Sequence, residues 1–437
     1  MTLPYRAVSL FSNCGAGDLG FRKSGFRFSV MAELCQRRLD VCLLNHPEAV
    51  GVVGDLRETW PLVVERYKNI AGDQSPDLLC ACPPCQGMSS ARPGKGAYND
   101  PEAGSRDSRN LLVTVIASVT SELKPRIIVV ENVPAFLTRK VFHPETHKPI
   151  SAAKLLIEWL KDQYEVFSMT SDLSDFGVPQ SRKRAFLTFV RRDLPTLSFL
   201  KERRLTPFPS ASKKFTKQPK TVADILEKSG LPPLDASSKE LASVAGYRGL
   251  HTVPAWTEDR YRMVASIPKY TGGSAWENNI CPVCGKYISD EEAVVCDACG
   301  NLLMRPIVKS ADGSYRLVRG FKSSSYRRMK ANSPASTITT ASGHIGSDIT
   351  IHPWQNRVLS PLECAIIQTF PRNFKWGDTL KKYGITSIRE MIGEAVPPLF
   401  TEKHGKTLCS LLSGDANIRA MPEDDSRVKK AMDLLSD

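Results

Sequence analysis

A chain of 437 residues that is 41% hydrophobic exceeds one small domain, and two are expected. No apolar run approaches the ~18 residues of a membrane helix, and Met1-Thr2-Leu3-Pro4-Tyr5-Arg6 lacks a secretion-signal pattern, which argues against a membrane or exported protein. A reducing, cytoplasmic setting is expected, with the twelve cysteines as thiols or metal ligands, and the net charge of +13 suits a polyanionic partner such as nucleic acid.

From residue 6 to 190 short apolar runs alternate with amphipathic stretches. Ala7 to Phe11, Phe28 to Ala32, Leu78 to Ala81, Ile127 to Val130 and Ala185 to Val190 read as strands. Leu39 to Leu44, Leu111 to Leu123 and Ala152 to Leu160 have helical spacing. This alternation predicts an α/β fold with a mostly parallel sheet. Residues 86–108 carry Gly, Ser, Pro and charge with almost no apolar content, a stretch expected to serve function. Residues 191–350 are rich in Lys, Arg, Ser and Pro and show no clear rhythm. Amphipathic pattern resumes after Arg357, and the last twenty or so residues are expected to fray.

Phe11-Ser12-Asn13-Cys14-Gly15-Ala16-Gly17 follows the first strand and opens a helix. Gly15 and Gly17 allow a tight turn and close approach of a ligand to the helix N-terminus. Glu33 ends the second strand, placed to accept ribose hydroxyls, and Asp55 follows the apolar pair Val52-Val53, placed to accept from an adenine amino group. Together they describe an adenosine pocket at the C-terminal ends of successive strands. The bland alternative is a structural turn and two solvated acids.

Pro83-Pro84-Cys85-Gln86-Gly87 leaves the strand Leu78 to Ala81. Two prolines stiffen the exit and present Cys85 at a loop start, whereas a lone Cys is more often inert core. Glu131-Asn132-Val133 ends another strand, and Gln180-Ser181-Arg182-Lys183-Arg184 precedes the last. Each alone reads as a surface acid or a solvated basic turn.

Cys281-Pro282-Val283-Cys284-Gly285 and Cys296-Asp297-Ala298-Cys299-Gly300 form two Cys-x-x-Cys-Gly knuckles eleven residues apart. Four thiolates satisfy tetrahedral Zn²⁺ and leave no open position, so a structural zinc ribbon over about 278–303 is expected, in a small basic module that needs metal to fold. A redox pair or disulfides are the alternatives.

Taken together, these motifs resemble the DNA (cytosine-5) methyltransferase family. The resemblance also takes in Arg109, Ser333 to Ile338, Arg357-x-Leu359-Ser360-Pro361-x-Glu363, Gln368-Thr369-Phe370-Pro371 and Gly393-Glu394-Ala395-Val396-Pro397-Pro398. It implies a Rossmann-like catalytic domain over 1–195, completed by 385–437, and a smaller target-recognition domain over 196–384 that contains the ribbon. It implies S-adenosylmethionine as methyl donor, held by Phe11, Gly15, Gly17, Glu33, Asp55, Leu56, Pro83 and Leu112. Glu394 stands where the family commonly has Asn at the donor's methionine end, and a carboxylate there needs a hydrogen-bond donor or weakens that contact.

The same resemblance makes Cys85 the nucleophile that adds to cytosine C6, Glu131 the group facing N3 and the 4-amino group, and Arg182 with Arg184 the cations near O2 and phosphate. The cytosine must be flipped from the duplex, with residues 86–108 closing over it. Double-stranded DNA in the cleft between the domains, one protein copy on the DNA, and a cognate restriction endonuclease complete the expectation. A transfer-RNA cytosine methyltransferase and a catalytically silent DNA-binding relative are the rival readings.

Overall fold

A computed structural model describes residues 4–84, 111–319 and 321–436. They divide into two compact units. Unit 1 comprises residues 1–176, 182–216 and 395–437, and unit 2 comprises 177–181 and 217–394.

Unit 1 opens with β1 (Tyr5–Leu10), α1 (Ala16–Ser24), β2 (Phe26–Glu33), α2 (Gln36–Asn45), β3 (Val50–Val53), α3 (Leu56–Ala71) and β4 (Leu78–Ala81). There follow α4 (Val113–Leu123), β5 (Ile127–Asn132), a hairpin of β6 (Lys140–Phe142) and β7 (Pro149–Ser151), α5 (Ala152–Leu160), β8 (Tyr164–Asp172) and β9 (Lys183–Arg191). Seven strands form one sheet in the order β3-β2-β1-β4-β5-β9-β8. The first five are parallel, and β9 and β8 close the edge antiparallel. β4 and β5 are buried at every position, as helices covering both faces require. The chain winds from β1 towards β3 on one side and from β4 to β5 on the other. The loops after β1 and β4 therefore diverge at a topological switch point, where such sheets open a ligand crevice. The expected strands and helices are all found.

After β9 come α6 (Pro195–Arg203), β10 (Leu205–Pro209) and α7 (Lys213–Lys217). Unit 2 then holds α8 (Val222–Leu226), α9 (Glu258–Ala265), a hairpin of β11 (Ile307–Lys309) and β12 (Tyr315–Leu317), α10 (Pro361–Ile367) and α11 (Thr379–Glu394). With so little regular structure, buried arginines bind its loops. Arg328 is fully buried and donates to the carbonyls of Val264, Ile267, His352 and Gln355 and to Asn356 Oδ1. Arg357 meets Glu363 in a buried two-pronged pair of 2.6 and 2.7 Å, while Glu363 also closes a capping box with Ser360 at the start of α10.

The chain returns to unit 1 as α12 (Pro398–Leu412), β13 (Ala420–Pro422) and α13 (Ser426–Ser436). The expected fraying of the tail is not observed. β13 pairs with β10, Ala431 of α13 joins the main core, and Arg427 bridges Asp175 and Asp425. Among the described residues no helix is long and apolar enough to cross a membrane.

Candidate active site

The turn from β1 into α1 bends through three left-handed residues, Phe11 (φ 58°), Asn13 (φ 50°) and Gly15 (φ 72°). Two of these are not glycine, a concentration of backbone strain typical of ligand sites. Ser12 N donates to Ala32 O of β2, and Asn13 N donates to Glu33 Oε2 at 2.8 Å. Cys35 N donates to Glu33 Oε1, so two amides fix this carboxylate beside the turn. Gly15 is doubly required: beyond its φ, a Cβ there would lie 2.8 Å from Cys42 Sγ and 2.9 Å from the His46 ring. A Cβ at Gly17 would press on Val396 at 3.3 Å. The first amides of α1 therefore stand at the C-terminal end of the interior strand β1 beside an anchored carboxylate, a donor and acceptor set that fits a nucleoside bearing a charged tail.

Asp55 caps α3 by accepting from Arg57 N, and its carboxylate also forms an ion pair with the Arg57 side chain. These bonds hold it below the usual carboxylate range. Leu56 is buried behind it, and Leu112 is buried at the start of α4. Glu394 is exposed at the last position of α11 in unit 2. The preceding Gly393 is compelled by space, since a Cβ would fall 2.3 Å from the Thr339 backbone.

At the end of β5, Glu131 Oε1 accepts from Arg184 Nε at 2.9 Å, with side-chain exposures of only 11% and 14%. Asn132 Nδ2 donates to Pro83 O at 3.1 Å, tying the exit of β4 to the end of β5. Pro83 itself is buried. Arg182 has its side chain sealed at 2% exposure, with its backbone bonded to Asp172 and Leu173. The structure thus joins Pro83, Glu131, Asn132 and Arg184 at one strand end, while Arg182 lies beneath the surface. Cys85, Arg109 and the 86–108 stretch lie outside the described residues.

Four neighbouring thiols are chemically quiet. Burial raises Cys14 to about 12 and pushes Cys42, Cys80 and Cys82 well above the ordinary thiol value, with the Glu131 carboxylate adding to the effect at Cys82. Each keeps its proton at neutral pH and so offers no thiolate. Asp18, in the first turn of α1, is raised to about 7 by burial, against a hydrogen bond from Ser9. The roles of Asn13 and Asp18 escape sequence reading because they depend on contacts with β2 and on depth below the turn.

In unit 2, Gln180 Nε2 donates to Gln368 Oε1, Gln180 Oε1 accepts from Ile338 N, and Gln368 Nε2 donates to Ile392 O. Three separate sequence motifs, and the residue just before a fourth, thereby meet in one buried network.

Cys281, Cys284, Cys296 and Cys299 have their sulfurs all within 4.8 Å of one another. The closest pairs, Cys281 with Cys299 and Cys284 with Cys296, are 3.5 Å apart, near the edge of a tetrahedron with Zn–S bonds of about 2.3 Å. Gly285 N and Gly300 N donate to the carbonyls of Cys281 and Cys296, both glycines at φ near 70°. The two knuckles are thus built alike. Buried Arg305 ties them by donating to Asp290 O, Ala293 O and Asn279 Oδ1. Asn301 Nδ2 donates to Cys299 Sγ at 3.3 Å, which favours the thiolate there, while the neighbouring sulfurs of Cys296, Cys281 and Cys299 raise Cys284. The donor set fits zinc.

The family model described as "C-5 cytosine-specific DNA methylase" matches residues 5–410. The chain is 28% identical over 410 residues to the type II methyltransferase M1.HgaI of Avibacterium volantium, covering 90% of this chain and 95% of that one. It is 24% identical over 417 residues to M.NgoFVII of Neisseria gonorrhoeae, covering 93% and 87%. Among solved structures, an E. coli prophage-encoded protein proposed to be a DNA modification methyltransferase shares the fold, with TM-score 0.53, 21% identity and coverage of 94% and 99%.

Proposed function

Because this chain belongs to the C-5 cytosine-specific DNA methylase family, we propose that it moves a methyl group from S-adenosylmethionine to carbon 5 of a flipped-out cytosine in double-stranded DNA. The names of its relatives favour a type II restriction–modification setting, with a cognate endonuclease and a cytoplasmic, nucleoid-bound site of action.

The observation that carries this reading is the Glu131–Arg184 pair, held beside the exit of β4 by the Asn132–Pro83 bond. Carbon 5 of cytosine is a weak nucleophile. A Cys85 thiolate adding to C6 forms a C–S bond and pushes the ring electrons towards C5, which takes the methyl group and releases S-adenosylhomocysteine. A base then takes the C5 proton, and the C–S bond breaks to return the thiolate. Glu131 faces N3 and the 4-amino group, and a proton shared with N3 draws electron density from C6. Arg184 orients Glu131 and faces O2. The Pro-Pro-Cys motif gives Cys85 the nucleophile's role, and Cys14, Cys42, Cys80 and Cys82 are poor rivals because they are held protonated.

S-adenosylmethionine supplies an activated methyl group on a sulfonium. The amides beyond Phe11, with Gly15 and Gly17, line its charged end, and Glu33 accepts from the ribose. Leu56, Pro83 and Leu112 supply apolar walls. Asp55 shares its carboxylate between Arg57 and the adenine amino group. Zn²⁺ at Cys281, Cys284, Cys296 and Cys299 has a structural role, since four thiolates leave no position for substrate.

Transfer of labelled methyl groups into DNA, with bisulfite sequencing to locate the product, tests the reading. Cys85→Ala should abolish transfer and keep DNA binding. Turnover near the wild-type level would overturn the assignment.

A further inference from the structure

The zinc ribbon is electrostatically opposite to the chain that carries it. Residues 278–303 contain one cation, Lys286, against Asp290, Glu291, Glu292 and Asp297, a net of −3 in a chain of +13, which leaves +16 for the remainder. The expected basic module is therefore acidic. Zinc deepens the contrast, because Zn²⁺ with four thiolates carries a further −2. Such a module repels phosphates.

The ribbon also exposes apolar surface. Among the described residues four large hydrophobic side chains exceed 60% exposure, and three of them, Ile280 (63%), Val283 (64%) and Tyr287 (64%), fall within eight residues of this ribbon. Ile280 and Tyr287 are bridge partners in antiparallel register, so their side chains stand together on one face. Val283 lies in the knuckle between them. Isolated exposed hydrophobics are ordinary, whereas a cluster rimmed by charge marks a protein contact. The ribbon's own interior is already filled by Cys281, Ile288, Cys296 and Leu303, so these three side chains have no place in it.

We propose that this acidic, apolar face of the zinc ribbon docks on a second copy of the same chain. Charge complementarity identifies the occupant: the ribbon at −5 with metal meets a body at +16. Ile280 and Tyr287 form the buried centre of the contact, and Asp290 and Glu291 supply its charged rim. The metal acts indirectly, by folding the knuckle that presents the face. The docking face is independent of methyl transfer, so failure of the enzymatic reading would leave it standing.

Sedimentation equilibrium of the full-length zinc protein without DNA tests this. Self-association in the range of about 10–100 µM, weakened at least about tenfold between 50 and 500 mM salt, is expected. Ile280→Ser with Tyr287→Ser should weaken it at least about tenfold while zinc content stays at the wild-type level, which keeps a folding failure apart from a lost contact. Glu291→Lys should weaken it without touching the apolar face. A wild-type protein that remains monomeric throughout this range at low salt would overturn the proposal. So would a double variant that retains zinc and associates like the wild type. Loss of DNA affinity in that zinc-replete variant would assign the face to DNA and equally overturn it.

Discussion

Arg184 Nε donates to Glu131 Oε1 across 2.9 Å, joining the first residues of an antiparallel strand to the end of a parallel one. The pairing of β5 with β9 brings Glu131 and Arg184 together, although they lie 53 positions apart in the sequence. Both side chains are largely withdrawn from water, so removing one strands the other's charge.

Arg184→Ala should lower kcat by roughly 100- to 1000-fold, because it removes both the anchor of Glu131 and a cation beside the reacting ring. Arg184→Lys restores charge without the fork geometry and should recover only part of the loss. Separate measurement of kcat and KM, with thermal melting as a control for folding, checks this. A KM effect alone would place Arg184 in binding.

Metal analysis should find about one zinc per chain, and Cys296→Ser should lower it below about half an equivalent. Limited proteolysis of the variant should cut within the ribbon and spare unit 1, which has its own core. Cleavage spread over the whole chain would show that the ribbon supports more than itself.

Much of unit 1 was legible because buried parallel strands must be continuously apolar, as Leu78 to Ala81 and Ile127 to Val130 are. β8 was not, since Tyr164–Asp172 mixes Glu, Ser, Thr and Asp with its apolar residues and becomes a strand through nine pairings with β9. α13 was hidden by its charge, with Val428 and Ala431 its only buried residues. Unit 2 has little periodicity to read, because Arg328 performs by five hydrogen bonds what a sheet would do by repetition. At the site, Glu131, Arg184 and the four ribbon cysteines could be named from motif and spacing. The capture of Asp55 by Arg57 and the burial of Arg182 are consequences of packing.

Gly20 illustrates a constraint that spacing cannot reveal. It lies where α1 crosses α12, and a Cβ there would sit 2.0 Å from Thr401 Oγ1, 2.3 Å from Pro398 O and 2.5 Å from Glu402 N. Two of those atoms are backbone and cannot swing aside. Gly20→Ala should destabilise by about 2–4 kcal/mol. At Gly405, across the same crossing, the nearest atom is the rotatable Ser24 hydroxyl, so Gly405→Ala should cost less. Thermal denaturation of the two variants compares them directly, and equal losses would refute the distinction.

Acid sensitivity follows from three buried imidazoles. Burial lowers His46 to about 4 and both His352 and His404 to about 3, the Arg357 guanidinium adding to the effect at His352. His404 is packed against the rings of Phe21, Phe186, Phe208 and Phe400, where an imidazolium would lose its hydration. Below pH ~6.5 the unfolded chain protonates these groups and the native chain does not, so stability falls as pH drops from ~6.5 towards ~4. Asp18 acts in the opposite sense. Held at about 7 by burial, it keeps its proton in the native state while the unfolded chain has lost it above ~4, so its contribution declines as pH rises from ~4 to ~7. Near pH 5 three histidine protons oppose one from Asp18, and these four groups together cost about 2–3 kcal/mol per pH unit of acidification. Thermal midpoints should therefore rise from pH 5 to pH 7. Asp18→Asn should steepen the rise by removing the opposing proton, and His404→Phe should flatten it. Midpoints that stay level across this interval in the wild-type protein would contradict the assignment of neutral, buried imidazoles.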